Sequence, residues 1–234
     1  DGQYQFSGGL HGVGASVVNA LSKRVIVEVA QNGDLYHIEF APFWDESLQK
    51  WVPGKAEQPL VKTGRTKRKG TRVTFWPDDT IFDTVHFQYE LIARRLRELA
   101  FLNRGVNFVL TDERKKVDKE DKTVTFYSEG GLIDFVKYLN QDRDTLYDTP
   151  IFLEASGDNM QLTLAIQTND GYNESIYSYV NNIPTTDGGM HETGFKSAFT
   201  KCMNEYARKN NLLKEKSPAF TGEDYREGMT AVLS

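Results

Sequence analysis

The sequence predicts an α+β fold with two regions, from three observations. Strand-like alternation flanks an Asn-Gly turn pair at residues 24–40 and returns at 71–76, 106–110, 123–127 and 151–181. Apolar residues at helical spacing appear after residue 13, at 91–99, at 132–139 and at 195–206. A polar, acidic stretch, Gln141 to Pro150, separates two regions that each carry strands and an amphipathic helix, and is the expected domain boundary and hinge.

The glycine-rich segment Ser7-Gly8-Gly9-Leu10-His11-Gly12-Val13-Gly14-Ala15-Ser16 is the most informative stretch. Glycine permits positive φ and close approach of backbone to a ligand. Amide N–H groups ahead of a helix can then converge on phosphate oxygens. Val13, Val17, Val18 and Leu21 fall at i, i+4, i+5 and i+8, which predicts a helix with one apolar face. The segment is not a Walker loop, because Gly14 is followed by Ala15-Ser16 and not by Lys-Ser/Thr. Nor is it G-x-G-x-x-G after a strand.

Arg24–Ala30 and Leu35–Phe40 read as a hairpin around Gln31-Asn32-Gly33-Asp34. Ala41–Leu60, with two tryptophans, three prolines and a glycine, shows no period and reads as a loop. Lys62–Lys69 is a basic run, read as a solvated loop with a phosphate or DNA patch as the alternative. Thr71–Trp76 is a strand stopped by Pro77. Phe87–Leu102 is a helix expected to bury Leu91, Ile92, Leu96 and Leu99 and to leave its arginines in solvent. Gly130-Gly131 opens a helix to about Asn140, with Leu132, Phe135, Val136 and Leu139 inward. Beyond it, strands are predicted at Ile151–Ala155, Met160–Thr168 and Ser175–Asn181, and a further one at Met229–Leu233. Thr193–Asn210 is a helix whose expected core stripe is Phe195, Ala198, Phe199, Cys202 and Tyr206, making Cys202 a core thiol.

Composition narrows the classes. No apolar run reaches membrane-spanning length. With 28 basic and 33 acidic residues, the net charge of −5 weighs against a strongly basic DNA clamp. One cysteine allows no intrachain disulfide and fits a reducing, cytoplasmic setting. The histidines His11, His37, His86 and His191 are scattered, and neither CxxC nor HExxH occurs, so no metal site is predicted.

The glycine segment with Val17-Val18-Asn19-Ala20-Leu21-Ser22 closely resembles the ATP-lid motif of the B subunits of bacterial type II DNA topoisomerases, gyrase and topoisomerase IV. Their ATPase domains have the GHKL (Bergerat) fold. The resemblance continues at Gly70–Pro77, Arg94–Asn103, Tyr127–Gly131 and Asn181–His191, so it covers nearly the whole chain. It implies a partial GHKL ATPase sandwich at 1–140, followed by a partial α/β transducer domain at 141–234. By the same resemblance the ATP-binding residues are Tyr4 at the adenine, Gly9, Leu10, His11, Gly12, Val13 and Gly14 at the triphosphate, and Thr71 near the adenine pocket floor. The family's water-activating glutamate, magnesium-binding asparagine and adenine-reading aspartate match no position here. Catalytic residues and the Mg2+ ligand are therefore expected outside the chain, which begins without methionine inside a motif and reads as an internal fragment. Where the family often has arginine at the hairpin turn, this chain has Gln31, which puts its inhibitor response in doubt.

The implied partners are ATP, DNA, a second copy of the B subunit on ATP binding, and an A subunit in an A2B2 assembly, with no membrane. Phe101-Leu102-Asn103-Arg104-Gly105-Val106 and the arginine-rich helix before it look gyrase-like. Topoisomerase IV is the alternative. A mismatch-repair ATPase fits less well, because of the Gly-Thr-x-Val-x-Phe-Trp-Pro and Asn-Asn-Ile-Pro blocks. A non-catalytic nucleotide-binding or interaction module is the rival from another class.

Overall fold

The computed structural model describes residues 12–114, 122–157, 160–214 and 216–234. The chain forms two compact units, which divide between Phe87 and Gln88.

In the unit ending at Phe87, a short helix α1 (Gly14–Ala20) leads into β1 (Ser22–Gln31), β2 (Asp34–Asp45), β3 (Lys50–Ala56), β4 (Val61–Arg65) and β5 (Gly70–Pro77). The sheet runs β3-β2-β1-β5, with β4 also paired to β2. The expected hairpin is present. Asn32 and Gly33 have φ of 55° and 83°, so both central residues of the two-residue turn are left-handed, as the twist of β1 and β2 requires. The expected loop 41–60 is instead largely strand. β2 continues to Asp45 and pairs with β3, where the Trp44 and Trp51 rings meet edge-on at 5.9 Å. Most of β3 lies exposed at the rim of the sheet, so no hydrophobic alternation marked it. The first half of the basic run is likewise a strand, β4, antiparallel to β2.

The second unit begins with α2 (Tyr89–Leu102), packed on a two-stranded sheet of β6 (Phe108–Asp112) and β7 (Lys122–Phe126). Ala93, Ala100 and Phe126 are its buried contacts, joined by Tyr89, Leu96 and Phe108. The buried face is thus rotated from the one expected, and Leu91 is 50% exposed. The small Ala93 and Ala100 let α2 lie close to β6 and β7, which a count of large apolar residues does not reveal.

After α3 (Leu132–Leu139) come β8 (Ile151–Gly157), β9 (Met160–Thr168), β10 (Ser175–Val180), β11 (Ile183–Pro184), α4 (Met190–Lys209), α5 (Gly222–Arg226) and β12 (Met229–Leu233). Their sheet has the order β11-β10-β12-β9-β8. β12 sits centrally, parallel to β10 and antiparallel to β9. Ala165, Tyr179 and Val232 face α3 through Leu132, Phe135 and Val136. Leu164, Ile166, Met229, Ala231 and Leu233 form the other core, with Phe195 and Phe199 of α4 packed on it. The α3 face and the apolar alternation of β9 are as the sequence predicts.

One expectation changes here, and one element is added. Ala198 and Cys202 are exposed and Tyr206 is 57% exposed, so they form no core stripe and Cys202 is not a core thiol. α4 turns Phe195, Phe199, Met203 and Ala207 inward, at successive i+4 steps. α5, unforeseen in the sequence, is closed by a capping box between Thr221 and Asp224. Residues on both sides of Gln141 belong to one packed unit. The 141–150 segment is fastened to β9: Leu146 N–H donates to the Thr168 carbonyl at 2.9 Å, and the Gln167 amide donates to the Tyr147 carbonyl at 2.8 Å. The segment is thus docked on β9.

Two polar clusters fix this unit. Asn140, 3% exposed, donates to Gln167 Oε1 at 3.0 Å and accepts from Thr230 Oγ1 at 2.7 Å and Asn169 Nδ2 at 3.2 Å. On the α4 side, Lys196 Nζ lies 3.0 Å from both Glu174 and Glu192, and Arg226 also holds Glu174. Lys196 lowers the Glu192 carboxyl below its usual range. Burial would raise Glu174, but Arg226 and Lys196 outweigh it and the net shift is downward.

Replacing Asn140 with alanine strips partners from three buried polar side chains. Urea denaturation should show a loss of about 2–4 kcal/mol; a loss below about 1 kcal/mol would show that the cluster contributes little. For the second cluster the folded carboxyls titrate lower than the unfolded ones. Their stabilisation is therefore fully present above the unfolded carboxylate pKa of about 4.3 and is lost as pH falls through the folded values. Lys196→Met should destabilise the protein at neutral pH by about 1 kcal/mol, and the difference from wild type should shrink as pH falls below about 4. A difference constant with pH would contradict this.

Candidate nucleotide site and the Asn181–His191 block

Of the predicted nucleotide-site residues, Tyr4, Gly9, Leu10 and His11 lie outside the described residues. Gly12, Val13, Gly14 and Thr71 are described, all exposed. Gly12 has φ of 64°, the left-handed region in which a side chain is strained. A Cβ built on Gly12 or on Gly14 meets no described residue within 4 Å, so among the described residues the backbone there is open. Val13 is the N-cap of α1 and supplies no side-chain cap, and no acidic residue occupies the first turn. The first N–H groups of a helix have no intrahelical partner, so α1 begins with open donors and no competing carboxylate.

The apolar face expected of α1 is only partly covered. Val13 and Val17 are 50% and 46% exposed. Val17, Val18 and Leu21 line an apolar cavity of about 250 Å³ with Phe75, Phe82 and Phe87. None of the described residues predicted for the nucleotide site lines it. The helix is tied down at its other end, where Asn19 Nδ2 donates to the Gly54 carbonyl at 3.0 Å. A Cβ at Gly54 would come within 2.7 Å of that amide, which accounts for the glycine. Thr71 pairs with Val29 across β1 and β5, and no hydrogen bond among the described residues links it to Gly12, Val13 or Gly14. No group of three His, Cys, Asp or Glu among the described residues could hold a metal ion.

The Asn181–His191 block in the second unit is built around a tight hairpin. Val180 pairs with Ile183, leaving Asn181 and Asn182 as the turn, with φ of 48° and 67°. Asparagine tolerates this conformation better than other non-glycine residues. α2 clasps the turn. Arg95 donates to the Asn182 carbonyl and to Glu98, and the Asn103 and Asn182 amides exchange hydrogen bonds at 3.2 and 3.4 Å. Arg97 donates to Tyr138 Oη at 2.7 Å, with its guanidinium over the Tyr138 and Phe126 rings. The arginines of α2 expected in solvent are therefore partly structural. The Asn-Asn pair before Ile-Pro was the available signal for the turn, but nothing local announces its partner on α2. Burial, with Glu98 nearby, raises the Tyr179 phenol well above its ordinary value, so it stays neutral at physiological pH. Further along, Ser178 Oγ shares a hydrogen bond with Thr185 Oγ1 at 2.6 Å and donates to Glu192 at 3.1 Å, and Thr185 Oγ1 lies 3.1 Å from His191 Nε2. This network joins β10 to the start of α4.

Comparison with known proteins bears on both regions. The family model described as DNA gyrase B matches residues 131–234. The whole chain is 47% identical to the DNA gyrase B subunit of Halalkalibacterium halodurans and 50% identical to the DNA topoisomerase 4 B subunit of Enterococcus faecalis, covering 34% and 32% of those proteins. The chain thus spans about a third of the length of the curated relatives it matches. Among solved structures, the 43K ATPase domain of Thermus thermophilus gyrase B, in complex with an aminocoumarin, matches 96% of the chain with a TM-score of 0.76 and 39% identity, over 57% of its own length. The topoisomerase IV ATP-binding domain of Francisella tularensis, in complex with a small-molecule inhibitor, matches 97% of the chain with a TM-score of 0.71 and 27% identity, over 58% of its own length. The fold is the mixed α+β fold of these GHKL ATPase domains, and the chain is similar along its whole length to the B subunits of bacterial type II topoisomerases.

Proposed function

We propose that this chain is part of an ATP-hydrolysing type II topoisomerase B subunit that acts as an ATP-driven DNA clamp and changes DNA topology with an A subunit. The observation that carries the reading is similarity along the entire chain to both gyrase and topoisomerase IV B subunits, together with a fold match to ATPase domains from both. Overall identity does not separate the two branches. The gyrase preference rests on Phe101–Val106 and α2. Supercoiling by the reconstituted complex would support it, and decatenation without supercoiling would favour topoisomerase IV.

In this reading the backbone N–H groups of Gly9–Gly14 donate to the nucleotide phosphates, Tyr4 lies against the adenine and Thr71 lines the adenine pocket. The open backbone at Gly12 and Gly14 and the uncapped start of α1 support this. Magnesium would be held by residues outside this chain. Residues 1–140 then correspond to the end of the ATPase domain and 141–234 to the start of the transducer. α3 packs against both α2 and the sheet of β8 to β12, with the Phe101 and Phe135 rings stacked at 4.9 Å, and this packing supports reading it as the link between the two regions. ATP binding would bring two copies of the B subunit together, and the A subunits would complete an A2B2 enzyme in the cytoplasm.

Gly14→Val separates site from fold, because Gly14 has ordinary helical backbone and open space around it. In the full-length protein it should weaken ATP binding at least tenfold, measured by equilibrium titration, while the thermal midpoint stays within a few degrees of wild type. Gly12→Val should do the same with an added stability loss of about 1–2 kcal/mol, since its φ is left-handed. Wild-type ATP affinity in both variants would refute the phosphate role. The isolated 234-residue chain should show no ATP turnover above background. Magnesium-dependent hydrolysis by the chain alone, abolished by Gly14→Val, would place the catalytic groups inside it.

A further inference from the structure

The loop between β4 and β5 has a charge pattern that the nucleotide reading does not use. Arg65, Lys67, Arg68 and Lys69 fall within five positions of a chain whose net charge is −5. All four are exposed, and among the described residues none makes an ion pair. The nearest carboxylates by register are already engaged. Asp34, opposite Arg65 in the β2–β4 pairing, is held by Lys62 at 2.7 Å. Glu28, opposite Arg72 in the β1–β5 pairing, is held by Arg72 at 3.5 Å. The loop concentrates a single sign, and among the described residues none of these charges is paired.

The loop is also held in place. β4 pairs with β2 and β5 with β1, so residues 66–69 cross the tip of the β1–β2 hairpin. Thr66 N–H donates to the Gly33 carbonyl at 2.9 Å, and Arg68 N–H to Thr66 Oγ1 at 3.1 Å. Gly70 then enters β5 with φ of 123°. Four cations are thus presented on a strap anchored at both ends. Anchoring lowers the ordering cost of engaging an anion.

We propose that this strap is a contact surface for the phosphate backbone of duplex DNA. The proposal rests on the reading above that the full-length protein acts on DNA. Five residues of strap reach up to about 17 Å when extended. Duplex DNA carries one negative charge per about 1.7 Å of helix axis, so the strap can meet several phosphates at once. A nucleotide triphosphate is too compact to engage all four cations. The strap presents charge alone, with no helix or ribbon to enter a groove, so its contact positions the duplex without reading its sequence.

The test uses the full-length protein and a random-sequence duplex, with affinity followed by fluorescence anisotropy across a salt series. Arg65→Gln, Lys67→Gln, Arg68→Gln and Lys69→Gln combined should reduce the slope of log K against log salt by about 3 to 4, from about 0.9 per phosphate contact, and weaken binding at least tenfold at low salt. Arg65→Lys with Arg68→Lys should keep the wild-type slope, since a phosphate contact of this kind needs charge and not a fork of donors. The four side chains contact no described partner, so the thermal midpoint should not move. An unchanged slope in the neutralised variant overturns the proposal. So does loss of polyglutamate binding with duplex affinity intact, which would assign the strap to an acidic protein. ATP titration of the same variant keeps the two readings apart: a reduced slope with wild-type ATP affinity supports the strap, whereas a wild-type protein that binds no ATP overturns the functional reading and leaves the strap to be judged on its slope alone.

Discussion

The second unit depends on the burial of β12 on both faces. All five of its residues are buried, and two cores meet across it, one under α3 and one under α4. A strand with no solvent face can satisfy its backbone only through neighbours on both sides, and β10 and β9 supply them. The parallel pairing with β10 requires a crossover, and α4 with α5 provides it. The small side chain of Ala231 and the polar one of Thr230 are placed where larger apolar groups would not serve. Ala231 is fully buried in the α4-side core, while Thr230 reaches the buried Asn140. Gly228, at φ of 67°, brings the chain in beside the Asn169 and Gly171 carbonyls, and a Cβ there would sit 2.7 Å from the Gly171 oxygen.

From that centre the packing extends to α2. α3 lies on the sheet through Phe135 and Val136, and α2 lies on α3 through the stacked Phe101 and Phe135 rings. Arg95 and Asn103 then close a loop from α2 to the Asn181–Asn182 turn at the end of β10. A turn in this conformation leaves its carbonyls pointing away from the strands, and a guanidinium with its fixed fork of donors can collect one of them while holding a carboxylate. Within this unit the helices, the sheet and the Asn181–Asn182 turn form a continuous set of packed and hydrogen-bonded groups.

The first unit is organised differently. Its sheet shows several large apolar side chains to solvent, Val73, Phe75 and Trp76 among them, and the predicted phosphate-binding backbone at Gly12 and Gly14 is open. What holds it together is strand pairing from β1 outward and the attachment of α1 through Asn19 and Ser22. Paired strands beside open backbone at Gly12 and Gly14 suit a site that must admit a ligand.

The sequence by itself determined the elements whose signal is local. Asn32-Gly33 declared a hairpin because few residues other than asparagine and glycine adopt two successive left-handed conformations. α3 and β9 showed their buried faces because a helix or strand covered on one side must repeat its apolar residues with its own period. The motif blocks carried the family because their order along the chain needs no folding to be read. Tertiary structure decided the rest, because those features join residues far apart in sequence. Whether an arginine on α2 faces solvent or a carbonyl depends on Asn182, which lies 87 residues after Arg95. Which side of α4 is core depends on where the sheet and the Phe220–Tyr225 segment lie, so Cys202 fits a helical stripe and still ends up exposed. The rim strands β3 and β4 bury too little to leave a pattern, and their identity comes only from the open hydrogen-bonding edge of β2. The 141–150 segment is polar like a linker, yet β9 offers it backbone and amide partners, and a chain with unsatisfied polar groups takes them.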